Sequence, residues 1–284
     1  MKYPLVSIII PCYNHEKYVV EALNSILDDT YPNKEIVVIN DGSTDNSNNL
    51  INHWVSQHYA NHLSIKYKNR SNKGLCATLN ELLELAKGKY VLPLASDDAL
   101  YGNTIEQRVS ILEENEKHGK LVLVSDALVI DENSNITGQS SMAINKGDKL
   151  KFKTDIGILK EMITNPSTVG PISLINKTIY NKIGLYPEDL FAEDWFFYQR
   201  AASIKAILFY DKVVSLYRMH SSNTSGGNIS INQNIRLTCA IKTSIYRNIS
   251  WYPTLYLKFL GVKKLIRVML IILKLRVKRT LTNN

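Results

Sequence analysis

Three observations predict an α/β fold built on a mostly parallel sheet flanked by helices. Short apolar runs alternate along the chain with segments whose apolar residues fall at helical spacing. The polar residues with most chemistry gather where those runs end. A composition of 45% hydrophobic and 21% charged residues over 284 positions can bury a large core and is not that of a disordered chain. Such alternation is the pattern of βαβ units, whose sheets bind ligands beyond the carboxyl ends of their strands.

In order, Leu5–Ile10, Glu35–Asn40, Leu63–Tyr67, Tyr90–Leu94 and Leu121–Ser125 read as strands. His15 to Leu27, Asp45 to Tyr59, Leu75 to Ala86 and Thr104 to Lys117 read as the helices between them. Residues 126–165 are less regular, with polar turns at Asp131–Asn135 and Asn145–Lys149. After Gly170-Pro171 a short strand leads to a helix over Asn176 to Lys182, which Gly184 ends. Glu193 and Asp194 open an aromatic helix, Trp195 to Ala202, at the end where the helix dipole favours carboxylates. A strand pair, Ala206–Tyr210 and Val213–His220, closes the predicted sheet.

Four loops at these strand ends are polar: PCYNHE, NDGSTD, KNRSNKG and ASDD. In ASDD, Asp97 and Asp98 stand side by side with no counter-charge beside them. Adjacent anions repel, so the pair points to a cation, although Asp98 also suits a helix cap. Asp41-Gly42 makes a turn, and Ser43, Thr44 or Asp45 caps the next helix. Asp41 would then sit at the sheet's edge, able to accept from a ring N–H. A charged first helical turn is the ordinary reading of Glu193, and a surface or packing imidazole that of His220. Cys12, Cys76 and Cys239 are odd in number and lack CxxC spacing, which fits buried thiols in a reducing compartment. The apolar stretch in MKYPLVSIII is too short for a signal peptide and reads as the first strand.

The net charge of +8 conceals a split. Residues 1–211 hold 21 of the 34 Lys and Arg and all 26 Asp and Glu, a net of −5, while residues 212–284 hold 13 basic residues and no acidic one. Near the C-terminus the longest unbroken apolar run, Val268 to Leu273, is far short of the ~20 residues a spanning helix needs. On a helical wheel Lys263, Lys264, Arg267, Lys274 and Lys278 share one side, and Leu265, Ile266, Met269 and Leu273 another, with Lys258 and Arg276 off the pattern. An interfacial helix on anionic lipid is expected, with a basic dimer helix as the alternative and no nucleic acid as partner.

Taken together, VSIIIPCYNHEKYVVEALNSIL, EIVVINDGSTDNS, NRSNKGLCATLN, GKYVLPLASDDAL, GLYPEDLFAEDWFFYQRAA and YRMHSSNTS resemble the family 2 glycosyltransferases of GT-A fold. The resemblance runs from about Val6 to Ser225. It implies a GT-A domain over 1–225, with a nucleotide-binding half at 1–125 and an acceptor half at 126–225, followed by a basic helical tail at 226–284. It also implies that Pro11, Tyr13, Asn14 and Glu16 line a nucleotide pocket, that Asp41 binds uracil, and that Lys73 lies near the sugar nucleotide. Asp97 and Asp98 match the family's DxD-type motif for Mn²⁺ or Mg²⁺ on a diphosphate. Asp98 is expected as the ligand, Asp97 toward the donor sugar or ribose, and His220 as a further ligand or a diphosphate contact. Asp194 matches the catalytic base of a single inverting displacement. UDP-glucose is the favoured donor, and a polyprenyl-diphosphate-linked saccharide at the cytoplasmic face of the cell membrane the acceptor, as in bacterial O-antigen or capsule assembly.

The chain departs from the family pattern at Ala95, where an acidic residue is common, and at Asn40, where many members have Asp. It also has no QxxRW after Asp194, which speaks for one sugar per visit rather than a processive synthase. PCYNHE stands where a sugar-nucleotide pyrophosphorylase would carry a Gly-rich phosphate loop and an oxidoreductase GxGxxG. A non-catalytic sugar-nucleotide-binding module is the third rival, and joint retention of Asp41, Asp98 and Asp194 speaks against it.

Overall fold

The computed structural model describes residues 3–58, 64–165, 167–221, 223 and 230–282. The expected helix end at Tyr59, the strand start at Leu63, Pro166, the domain end at Ser225 and the tail's end at Asn284 lie outside the described residues.

Among the described residues nine strands form one sheet: β1 (Val6–Cys12), β2 (Lys34–Asp41), β3 (Ser64–Arg70), β4 (Tyr90–Pro93), β5 (Ala99–Leu100), β6 (Val122–Ile130), β7 (Ile136–Gly138), β8 (Ser173–Asn176) and β9 (Ile207–Arg218). Their order is β3-β2-β1-β4-β8-β6-β9-β5, with β7 paired to β6. β1 to β4 are mutually parallel, β8 is inserted antiparallel, and β6 and β9 run with the first four. Side chains alternate across the pleat. Ile8, Ile10, Ile36 and Val38 thus enter one core, and Ile9, Val37 and Ile39 the other.

The first core lies under α1 (Val19–Asp28), α2 (Ser47–His58) and α4 (Ile105–Glu116). The second lies under α3 (Leu75–Leu85), α6 (Asp155–Thr164) and α8 (Asp194–Ser203), with short α5 (Ser141–Ile144) and α7 (Tyr180–Ile183) at its margin. α1 buries Val19, Ala22, Leu23 and Ile26, the spacing of one helical face. Just past its end, the buried Asp29 carboxylate accepts from the N–H groups of Thr104 (2.9 Å) and Ile105 (3.1 Å), capping α4 from another helix.

The chain winds outward from β1 through β2 to β3, then returns to lay β4 on the other side of β1. Connections therefore leave β1 and β4 in opposite directions, which opens a crevice at the carboxyl ends of those two strands. The loops PCYNHE and ASDD flank it.

Several elements differ from the sequence reading, among them the expected helix over Asn176 to Lys182, whose first residue ends β8 and whose α-helical part is only α7. α1 begins at Val19, not His15, because backbone groups of residues 14–16 bond to the second loop instead of starting a helix. β6 continues to Ile130, and α6 arises in the stretch read as irregular, where Thr154 caps it by accepting from the Gly157 N–H at 3.1 Å. The expected strand pair after Ala206 is one strand, β9, parallel to β6, with its register shifted between the Phe209 and Val213 pairings. The tail folds into α9 (Ile231–Asn248) and α10 (Leu255–Thr282), and Tyr252 and Leu257 enter the second core.

Candidate active site at the ends of β1, β2 and β4

The first two loops bind each other. Asn14, held at φ +57°, donates its N–H to Ser43 Oγ (2.9 Å) and accepts from the Thr44 N–H at Oδ1 (2.8 Å). Glu16 donates its N–H to Asp45 (2.9 Å) and accepts from the Asn46 N–H (2.7 Å). Asn14 and Glu16 thereby line a small cavity with His15, Tyr18 and Asp45, while Pro11 lies near the end of β1 and Tyr13 is exposed beside it.

Asp41 ends β2 and is 4% exposed. Its carboxylate accepts from the Arg70 guanidinium, from the Lys73 N–H (2.8 Å) and from the Gly74 N–H (3.0 Å). A carboxylate offers about four acceptor sites, so one is left for a ligand. Lys73 acts here through its backbone, while its side chain lines a groove of about 1030 Å³ along α3. Gly42 makes this closure possible: at φ +72° a Cβ on it would stand 2.5 Å from the Asn72 nitrogen. Arg70, which sequence reasoning passed over in KNRSNKG, also holds Glu81 (2.9 Å) and Thr78 (2.9 Å) and so locks the loop to α3.

At the crevice, His220 Nε2 stands 3.1 Å and His15 Nε2 3.7 Å from the same oxygen, Asp97 Oδ2. The ligand atoms of these three residues all lie within 4.8 Å of one another, close enough to hold a metal ion. His15 Nδ1 is 2.8 Å from Ser96 Oγ, which fixes the ring with Nε2 toward the carboxylate. Burial lowers the His15 pKa, which favours the neutral imidazole that a metal takes as ligand. Burial alone would raise Asp97, but the hydrogen bond from His220 and the nearby imidazoles win and hold it low. Two imidazole nitrogens and one carboxylate suit Mn²⁺ better than Mg²⁺, which prefers oxygen ligands.

Asp98 lies outside this cluster. The sequence reading gave it the metal and turned Asp97 toward the donor; in the structure Asp97 joins His220, and Asp98 Oδ1 accepts from the Arg218 N–H at 2.8 Å. The cause is local: β5 starts at the next residue and pairs with β9, which turns Asp98 inward. Burial, reinforced by Asp97, raises its pKa well above the usual range.

Arg218 organises the loop from below. Fully buried, it donates Nε to the Asp97 carbonyl (2.7 Å), Nη1 to the Asp131 carbonyl (3.0 Å) and Nη2 to Glu21 (2.6 Å), and it stacks on the Tyr18 ring at 4.7 Å.

Asp194 is the first residue of α8, half-buried, and accepts at 2.7 Å from the Trp195 N–H. Burial raises its pKa, and burial plus the Asp194 charge pushes Glu193 to about 8. The segment before α8 rests on the start of α3, where Cys76 Sγ donates to the Leu190 carbonyl at 3.3 Å. Burial, and then Glu193, Asp189 and Asp194, push that thiol up to about 12. The acidic pair therefore stands near the end of the loop that Asp41 holds.

The strand order, with its crevice at the carboxyl ends of β1 and β4, defines the fold class as GT-A. Residues 7–184, more than half of the chain, match the glycosyl transferase family 2, and the chain belongs to that family. An uncharacterized glycosyltransferase of Rickettsia prowazekii is 32% identical over 231 residues, covering 81% of this chain and 68% of that protein. A Rickettsia felis relative is longer, and the chain spans 35% of it. Among solved structures, Staphylococcus aureus TarS 1–349 in complex with UDP-GlcNAc superposes with TM-score 0.61 at 23% identity, covering 86% of this chain and 67% of that one. The mannosyltransferase PcManGT of Pyrobaculum calidifontis, in complex with GDP-Man and Mn²⁺, gives TM-score 0.65 at 17% identity, covering 95% and 74%.

Proposed function

We propose that this chain transfers a single hexose, with inversion, from a UDP-sugar to a saccharide acceptor. The observation that carries the reading is the His15–Asp97–His220 cluster at the sheet's switch point, where a nucleotide diphosphate would lie. Bound there, Mn²⁺ would offset the negative charge that develops on the departing diphosphate. Asp41, with one acceptor site left, receives the uracil ring N–H, and Arg70 holds that carboxylate in place. The loop of Pro11, Tyr13, Asn14 and Glu16 walls the nucleotide. Asp194 takes the proton of the acceptor hydroxyl as its oxygen bonds to the anomeric carbon and the bond to the diphosphate breaks, worth ~10²–10⁴-fold in rate. The TarS complex with UDP-GlcNAc supports a uridine donor, and the PcManGT complex supports Mn²⁺.

The acceptor in this reading is a polyprenyl-diphosphate-linked saccharide, met at the cytoplasmic face of the membrane during surface-polysaccharide assembly. The basic C-terminal segment supports an anionic membrane partner. The deciding experiment is a donor panel led by UDP-glucose, with Mn²⁺ and a lipid-diphosphate GlcNAc or GalNAc acceptor, scored by product mass and linkage. Product from one UDP-sugar, lost with saturating chelator, is the expected result. No product from any donor would end the transfer reading, and undiminished turnover with chelator the metal reading.

A further inference from the structure

α10 carries eight Lys or Arg and no acidic residue over its 28 positions. One face is spoken for: Leu257 enters the second core, and Val268 and Ile272 pack with Ile245 of α9. The wheel drawn from sequence grouped Leu265 with Ile266, Met269 and Leu273; the structure divides them. Leu265 packs inward with Val268, and Ile266, Met269 and Leu273 turn out to solvent. A second apolar stripe therefore runs along the side away from α9. Phe259, Val262, Ile266, Met269, Leu273 and Val277 are 41–66% exposed and fall within about 100° of arc. Lys263, Arg267 and Lys274 border it on one side, and Lys258 and Arg276, off the pattern in the sequence wheel, on the other.

We infer that this stripe is a docking surface on which α10 lies in the plane of an anionic lipid bilayer, sunk to the depth of its apolar side chains. An apolar stripe edged by cations is the chemistry of an interfacial helix. No helix of the described residues is long and apolar enough to cross a membrane, so the contact is with the surface. A second copy of this chain fits worse, because residues 212–284 hold no acidic residue and stripe-to-stripe pairing would set cation against cation. Along its length, about 42 Å, α10 also reaches the catalytic helix. Lys264 donates to the Thr164 carbonyl at 2.7 Å, and its ammonium lies 5.4 Å from the ring of Trp195, the residue after Asp194. Lys264 lies about 180° around α10 from the centre of the stripe, so docking would hold the start of α8 one helix diameter, ~10 Å, from the bilayer surface. The docking stands on α10's own chemistry, and only its use in delivering a lipid-linked acceptor rests on the transfer proposed above.

The test is sedimentation of the full chain with vesicles of phosphatidylcholine alone or mixed equally with phosphatidylglycerol, without donor or acceptor. The wild type is expected to sediment with the anionic vesicles only, and less as salt rises. The triple variant Ile266→Ser, Met269→Ser, Leu273→Ser should stay in the supernatant with unchanged circular dichroism, since these side chains face solvent. Lys263→Gln with Lys274→Gln should weaken partitioning roughly 25-fold, about fivefold per charge. Wild-type-like sedimentation of the triple variant, or none by the wild type at low salt, overturns the inference. So does a dimer by light scattering that the triple variant turns into monomer, which would give the stripe to a second copy. Transfer to a water-soluble acceptor should be equal in wild type and variants, so failed docking and failed transfer read out separately.

Discussion

His220 and Asp97 are 123 residues apart in sequence, yet His220 Nε2 stands 3.1 Å from Asp97 Oδ2, and His15 Nε2 faces the same oxygen. In the function proposed above, the carboxylate that would hold the metal is therefore the first Asp of the pair, Asp97. Asp97→Asn and His220→Ala should each lower Mn²⁺ affinity by at least the roughly 10–100-fold lost when even an outer partner of a metal ligand is removed. Asp98→Asn should change it by less than about threefold, because Asp98 is no part of the cluster. Electron paramagnetic resonance of free Mn²⁺ during titration reads this without turnover. The opposite ranking of Asp97 and Asp98 would return the metal to Asp98.

Glu193 and Asp194 give two pH signatures. As a proton acceptor Asp194 must be ionised, and burial raises its pKa. The acid limb of kcat/KM should therefore lie above the ordinary carboxylate range, and Asp194→Asn should cost ~10²–10⁴-fold. Stability moves the other way. Glu193 is raised from 4.5 to about 8, so between those values the folded chain keeps a proton the unfolded chain has released. Stability is fully supported below that window and falls as pH climbs through it. Glu193→Gln should flatten the fall in urea melts taken across the window.

The Asp41 loop predicts a split between folding and nucleotide binding. Gly42→Ala places a Cβ 2.5 Å from the Asn72 nitrogen at φ +72°, and that nitrogen is backbone that cannot swing aside as a side chain could. A loss of about 1–3 kcal/mol is expected. Arg70→Met leaves the backbone donors at Lys73 and Gly74 but removes the charged one, so UDP affinity should drop by roughly tenfold with a smaller change in melting temperature. Calorimetry with UDP checks it; unchanged affinity would separate Asp41 from the base.

Most of the sheet was legible because its strands are apolar runs with polar ends. Ile8, Ile9 and Ile10 are fully buried on alternating faces, and no other element suits such a run. α6 was obscured because its signal, Thr154-Asp155 ahead of Ile158, Leu159 and Ile163, follows turns that look disordered. The family pattern pointed to both acidic residues of ASDD but could not say which faces the crevice, since that depends on β5 pairing with β9. His15 was inside a quoted loop and went unassigned, because only folding sets β1 beside β4 and brings it to Asp97. Arg218 stands in the YRMHSSNTS stretch, where sequence alone gives it no role. An arginine inside a strand gives no sign of the three separate segments it will hold.

That arginine supports the last prediction. Arg218 makes charge-assisted bonds to the carbonyls of Asp97 and Asp131 and to Glu21, and its own N–H holds Asp98, so one side chain joins α1, the acidic loop and the β6–β7 turn. Arg218→Met should destabilise by about 3 kcal/mol, as those bonds are lost and the buried carbonyls go unpaired. Arg218→Lys should rescue little, because one ammonium cannot span acceptors that diverge around a planar fork. Glu21→Gln should cost under about 1 kcal/mol, its carboxylate being 40% exposed. If Arg218 also positions the loop, Mn²⁺ affinity in Arg218→Lys should drop about tenfold under conditions where the variant is still fully folded. Full affinity in a folded Arg218→Lys would reduce the residue to a structural tie.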